Sequence, residues 1–355
     1  MSTDPAQIAA ARAMLAQLGV SVADLLRDGR PRVPSIAEYL PRVMAAAGPG
    51  ARRTYGSYWL RMANAWGSRP LDAIAASDIE ALQRETVATA RSRRSSRGGR
   101  HAGEHVIAAA RAVYNRAIAD GLLDPGSSPA HRVSKPRRLP STRRALVPSE
   151  LDEINLLARS TGNDAVLDAL LLRLHTETAC RRGGALGLRL VDLDTKRGLV
   201  RLSEKGGTLR WQPISLDLAT RLAEHACARG AVLPADSLLR FRHGQALTSR
   251  RYDHLWRRLG RELPWVAAQG ISTHWLRHTT LTWVERHFGY GVARAYAGHT
   301  DSVGAATTTY IKADLQAVAT ALAAMTGAPH PLALPIDSLD TYPKGMRHRT
   351  GTWRP

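Results

Sequence analysis

Residues 132–144, RVSKPRRLPSTRR, hold two prolines and six arginines or lysines among thirteen positions. Such a stretch looks like a linker between domains. Proline's fixed φ and missing N–H also suppress helix through it. A chain of 355 residues interrupted in this way has to fold as two bodies, with the boundary near residue 145. Both halves are long enough to bury a core.

The front half reads as helices. Ser21 with Asp24, Ser35 with Glu38 and Ser77 with Glu80 each have the spacing of a capping box. TYGSYWLRMANAW places Tyr55, Tyr58, Trp59, Met62 and Trp66 on one helical face, a core stripe. A helix over 104–120 aligns Val106, Ala109, Ala110, Val113 and Ala117, and Gly121 ends it. Residues 1–34 read as a short helical extension without the basic start of a signal peptide. The front body is then 35–131, followed by a basic linker over 132–147.

The back half, 148–326, mixes element types. A helix is expected to begin at Ser149, again with an acid three residues on, at Asp152. LVRLSEKGGTLRWQPI alternates, with Val200 and Leu202 before a Lys205-Gly206-Gly207 turn and Leu209 and Trp211 after it. That is a β-hairpin with helices on both sides. The fold class is therefore mostly α with a small antiparallel hairpin or sheet. The Pro-rich tail, 327–355, has few apolar anchors and is expected to be poorly ordered or dependent on a partner.

Fifty basic residues against thirty acidic give a net charge of +20, which points to a polyanionic partner. No apolar run is long enough to span a bilayer, and no basic amphipathic helix has a bulky apolar face. Cys180 and Cys227 fit neither metal nor disulfide spacing. The expected compartment is the cytoplasm, at the nucleoid. The charge clusters in ARSRRSSRGGR, where Arg91, Arg93, Arg94, Arg97 and Arg100 lie among Ser and Gly, and again in the linker. We take those five arginines, together with Lys135, Arg137, Arg138, Arg250 and Arg251, as candidate contacts to nucleic acid.

Two further stretches carry chemistry. In HTETACRRGGALGLRLVDLD, Arg181 and Arg182 stand before a Gly-Gly pair, and a guanidinium so placed needs a partner. In ISTHWLRHTTLTW, His274 and Arg277 share a helical face, with Ser272 or Thr273 as the cap. His299 and Tyr310 follow in AGHTDSVGAATTTYIK.

Taken in order, Arg181, Lys205, His274, Arg277, His299 and Tyr310 resemble the site of the tyrosine recombinases of the phage integrase family. The family pattern places Leu seven and Asp eleven residues after its first arginine. Counting from Arg181 reaches Leu188 and Asp192, whereas counting from Arg182 does not fit. Two departures stand out. Gly184 replaces the usual acid, and the interval from His299 to Tyr310 is about two residues longer than usual. The resemblance covers most of residues 35–325 and implies a helical core-binding domain followed by a catalytic domain.

It also implies a role for each residue. The arginines would clamp the scissile phosphate, Tyr310 would attack it, His274 would serve as base and Lys205 would protonate the leaving oxygen. His299 would bond the phosphate or position Tyr310. Neither metal nor ATP nor another cofactor is implied. The implied partners are double-stranded DNA, three further copies of the chain in a synaptic tetramer that dissociates to monomers, and accessory DNA-bending or directionality proteins. The stripe Leu315, Val318, Leu322 and Met325 suits either docking on a neighbouring copy or packing on its own domain. Two other readings share the scaffold: a catalytically silent DNA-binding or architectural protein, and a strand transferase of the topoisomerase IB or telomere-resolvase kind.

Overall fold

The computed structural model describes residues 4–21, 32–90, 100–136, 143–203, 209–298 and 315–334, without the side chain of Arg100. It divides into two compact units, Met1–Pro140 and Ser141–Pro355.

The front unit is helical: α1 Pro5–Gln17, α2 Ile36–Ala46, α3 Pro49–Trp66, α4 Ala76–Ala88, α5 Arg100–Ala119 and the short α6 Pro129–Arg132. Ser35 and Glu38 form the expected capping box. Ser35 N–H donates to Glu38 Oε2 at 2.8 Å, and Glu38 N–H donates to Ser35 Oγ at 3.3 Å. Trp59, Met62 and Trp66 are buried, as are all five predicted α5 residues, and these two stripes form the centre of the core. The α1 helix buries none of its residues.

Two other helix starts differ from the sequence reading in the same way. The α4 helix begins at Ala76, where Ala75 N–H donates to Asp78 Oδ2 at 2.8 Å. In the back unit α7, Pro148–Ser160, opens with Pro148 while Val147 N–H donates to Glu150 Oε2 at 3.0 Å. Ser77 and Ser149 thus lie inside the first turn. An acid at the third helical position satisfies the cap N–H alone, and Pro148 pre-sets φ for the first position. Ser21 and Asp24 cannot be compared, because Asp24 lies outside the described residues.

The basic stretch is anchored at both ends. Val133 is buried in the front unit, and its carbonyl accepts from Arg111 Nη2 at 2.9 Å. Leu146 is buried in the back unit, and its N–H donates to Thr279 Oγ1 at 2.9 Å.

The rest of the back unit is built on α8, Ala165–Thr178. Leu167, Leu170, Leu171 and Leu174 enter one apolar cluster and Leu172 another, so this helix is enclosed on most sides. There follow α9 Arg182–Leu186, β1 Leu193–Asp194, β2 Leu199–Ser203, β3 Leu209–Pro213, α10 Leu216–Ala228, α11 Ser249–Glu262, α12 Pro264–Gln269, α13 Thr273–Ala297 and α14 Leu315–Thr326. The three strands form one antiparallel sheet in the order β1-β2-β3.

The hairpin is present, but one strand faces the opposite way from the expectation. Val200 and Leu202 are buried, and the register pairs them with Gln212 and Arg210. Leu209 and Trp211 therefore point outward, 65% and 43% exposed. Paired residues share a face, so burying Val200 and Leu202 commits Gln212 and Arg210 to the inner side.

The α14 stripe packs on its own domain. Val318, Leu322 and Met325 join Val284, Tyr296 and Ala179 in one cluster. The start of the tail also folds back, contrary to the expectation of poor order. His330 is buried, its Nε2 lies 3.0 Å from the Gly198 carbonyl, and Leu334 N–H donates to Thr320 Oγ1 at 3.0 Å.

Candidate active site

The α8 helix ends on Ala179, the one non-glycine residue with positive φ among the described residues (φ 49°). This left-handed turn ends α8 just ahead of Arg181, which sits at the N-cap of α9. Below the turn lies a buried cluster. His175 Nδ1 is 3.1 Å from the Cys180 carbonyl and Nε2 is 2.9 Å from the Tyr252 hydroxyl. A carbonyl only accepts, so Nδ1 carries the proton and Nε2 accepts from Tyr252. Burial pushes the Tyr252 phenol well above its usual range, which keeps that proton in place. Arg182 donates to Asp253 on α11 at 3.3 Å. Leu188 is buried, and Asp192 pairs with Arg201 at 2.7 Å. Gly184, which replaces the acid, is buried within α9.

Arg277 approaches the same turn from α13. It is 4% exposed and donates to the carbonyls of Ala179 and, at 2.7 Å, Ala297. His274 stands in the first turn of α13. Ser272 occupies the N-cap but makes no side-chain cap bond, and Thr273 Oγ1 accepts from Trp256 Nε1 at 2.8 Å. Desolvation lowers the pKa of His274, and the positive charges of Arg143, Arg277, Arg181 and His278 lower it further. The bond from Arg277 to the Ala179 carbonyl sets the His274 helix against the turn that leads into Arg181. Arg143, which the sequence reading saw only as linker charge, adds to the positive field at His274. A neutral imidazole among guanidinium groups can accept a proton beside a bound anion.

Lys205, His299 and Tyr310 lie outside the described residues. The strands on either side of Lys205 end at Ser203 and resume at Leu209, and Gly298 (φ 64°) precedes His299.

The candidate DNA contacts divide. Arg91, Arg93, Arg94, Arg97, Arg137 and Arg138 lie outside the described residues, as does the side chain of Arg100. Lys135 and Arg250 are exposed. Arg251 corrects the sequence reading. It is 8% exposed, pairs with Asp168 at 2.7 Å and donates to Asn163 Oδ1 at 2.7 Å. Its guanidinium belongs to the interior, because Asp168 is buried and needs a counter-charge. A cavity of about 710 Å³ at the start of α11 is lined by Arg242, Arg250, Arg258, Arg261, His243 and His254.

Residues 144–316 match the model of the phage integrase family. They belong to that family. The match takes in Arg181, Lys205, His274, Arg277, His299 and Tyr310. The chain is 26% identical over 202 residues to the tyrosine recombinase XerC of Roseiflexus castenholzii, covering 55% of this chain and 63% of that protein. It is 30% identical over 195 residues to the tyrosine recombinase XerD of Mycobacterium leprae, covering 50% and 58%. The match thus spans about three fifths of the length of these curated relatives. Among solved structures, a lambda integrase tetramer bound to a Holliday junction superposes with a TM-score of 0.57 at 16% identity, covering 85% of this chain and 90% of that one. The Tn1549 transposon integrase in complex with transposon right end DNA gives a TM-score of 0.56 at 14% identity, covering 78% and 97%. These two likenesses concern the fold. No helix among the described residues is long and apolar enough to cross a membrane.

Proposed function

We propose that this phage-integrase-family protein is a site-specific DNA recombinase that cuts and rejoins duplex DNA through a 3′-phosphotyrosyl intermediate. The observation that carries the reading is that Arg277 donates to the Ala179 carbonyl, two residues before Arg181, with His274 one helical turn before Arg277 on α13. The Arg181 guanidinium would match non-bridging oxygens of a phosphodiester, and Arg277, whose terminal nitrogens donate to the Ala179 and Ala297 carbonyls, would add a fixed positive charge beside them during transfer.

In this reading the Tyr310 oxygen attacks phosphorus in line. Its proton passes to the neutral His274, the bond from phosphorus to the 5′-oxygen breaks, and the Lys205 ammonium protonates that oxygen. His299 bonds the phosphate or steadies Tyr310. The phosphotyrosyl bond conserves the energy of the broken diester, so a 5′-hydroxyl from a second strand can reverse the step. Exchange of two strands, then two more, passes through a Holliday junction and requires four copies of the chain on two duplexes. Arg250, Lys135 and the arginines of 91–100 and 137–138 would grip the flanking phosphates.

A nicked duplex that releases a short oligonucleotide after cleavage traps the intermediate. The wild-type protein is expected to form a covalent adduct with it, and Tyr310→Phe is expected to bind without forming one. Binding without any adduct by the wild-type protein would favour the silent DNA-binding reading.

A further inference from the structure

Arg210 has no part in the six-residue set, yet its side chain meets the chain segments from which three of the six project. It lies on the inner face of β3, opposite Leu202 and five residues beyond Lys205. Its Nη2 donates to the carbonyl of Thr178 at 3.3 Å, three residues before Arg181. Its Nη1 donates to Oε1 of Gln212, which is fully buried. Its Cδ and Nε press against Gly298, the residue before His299, so closely that a methyl group there would overlap them. The arrangement has local reasons. Thr178 ends α8, where carbonyls lack helical partners and a cation is favoured. Gly298 combines a left-handed φ of 64° with a side-chain contact that leaves no room for a Cβ.

Resting on the strand-transfer reading above, we propose that Arg210 is a positioning residue that seats the Lys205 hairpin against the Arg181 turn. A hairpin fixed at that turn holds its ammonium donor in register with the phosphate bound at Arg181. Arg210 would touch neither phosphate nor leaving oxygen. Its effect would reach the reaction through the delivery of one proton.

The test uses the full chain and nicked duplexes that the wild-type protein selects from a randomised pool. Each duplex is made with either oxygen or sulfur at the 5′ bridging position, since a thiolate leaves without a proton. Arg210→Ala is expected to bind DNA within about threefold of wild type. It should cleave the oxygen substrate on the order of 10–100-fold more slowly, and the sulfur substrate within about threefold of wild type. If Arg210→Ala does not fold, Arg210→Lys makes the same comparison, because one ammonium cannot reproduce the planar span. Equal slowing of both substrates, or no slowing of the oxygen substrate, overturns the positioning role while leaving strand transfer intact. Binding without an adduct by the wild-type protein on either substrate overturns the strand-transfer reading and the role of Arg210 with it.

Discussion

Arg277 donates to the carbonyl of Ala297 at 2.7 Å, although both residues belong to α13. Twenty residues of straight helix would hold them about 30 Å apart. The contact exists because Gly289 breaks the helix at φ 81°, ψ 169°, a conformation open essentially to glycine alone. The chain then doubles back and ends at Gly298, so Arg277 joins the last carbonyls of two segments, Ala179 and Ala297.

Gly289→Ala should therefore act at a distance. Nothing lies within 4 Å of an added Cβ there, so the cost is backbone strain and not collision. A loss of about 1–3 kcal/mol is expected in urea unfolding. Below full unfolding, the adduct yield on a nicked duplex should fall more than DNA affinity does. An unchanged denaturation midpoint would mean that the doubled-back segment relaxes freely.

Neighbouring arginines should separate cleanly. Arg251→Ala leaves Asp168 with Arg258 alone and should cost about 2–4 kcal/mol of stability. Arg250→Ala should stay within about 0.5 kcal/mol of wild-type stability. If Arg250 meets a phosphate, that variant should also flatten the plot of log affinity against log salt by about one unit. Melts and salt titrations of the two variants, side by side, decide the assignment.

Much of this was legible in the sequence, and the remainder failed for particular reasons. The stripes of α3 and α5 recur at helical spacing, so their cores could be read directly. Arg181, His274 and Arg277 were singled out because the order of the six residues is distinctive. Arg251 was misread, since Asp168 is 83 residues away and a basic pair reads as surface until that carboxylate is placed. Alternation reveals which residues of a strand share a face, but not which face turns inward. On β3 the register with Val200 and Leu202 settled it in favour of Arg210 and Gln212. His175 and Tyr252 escaped notice because a histidine and a tyrosine 77 residues apart carry no joint signal.

Acid should weaken the back unit through His225. Burial first, and then the Arg229 charge, lowers its pKa from 6.5 to about 4. The unfolded chain therefore takes up the proton at higher pH than the folded one. Stability is whole above about pH 7 and is lost as pH falls from 6.5 towards 4, by at most about 3 kcal/mol. Unfolding curves at a series of pH values should show this slope, and His225→Gln should flatten it.

Ala179→Gly should stabilise the protein. An alanine in the left-handed region costs about 1–2 kcal/mol, and glycine returns part of it to unfolded-state entropy. A net gain of about 0.5–1 kcal/mol in chemical denaturation is expected. A loss instead would show that the buried methyl of Ala179, packed with Val284 and Tyr296, outweighs the strain.

Strand transfer through Tyr310, as proposed above, carries the risk that another phenol attacks instead. Of nine tyrosines, Tyr39, Tyr114, Tyr252 and Tyr296 are buried with their ionisation pushed upward, chiefly by desolvation. Tyr296, fourteen residues before Tyr310, donates its proton to the Glu177 carbonyl inside the core. Under that proposal packing works as a fidelity filter at these four positions, whereas Tyr290 is 58% exposed. The fold withholds the four buried hydroxyls from phosphorus by making their anions inaccessible, so an off-target protein–DNA bond at any of them would first require the unit around it to open.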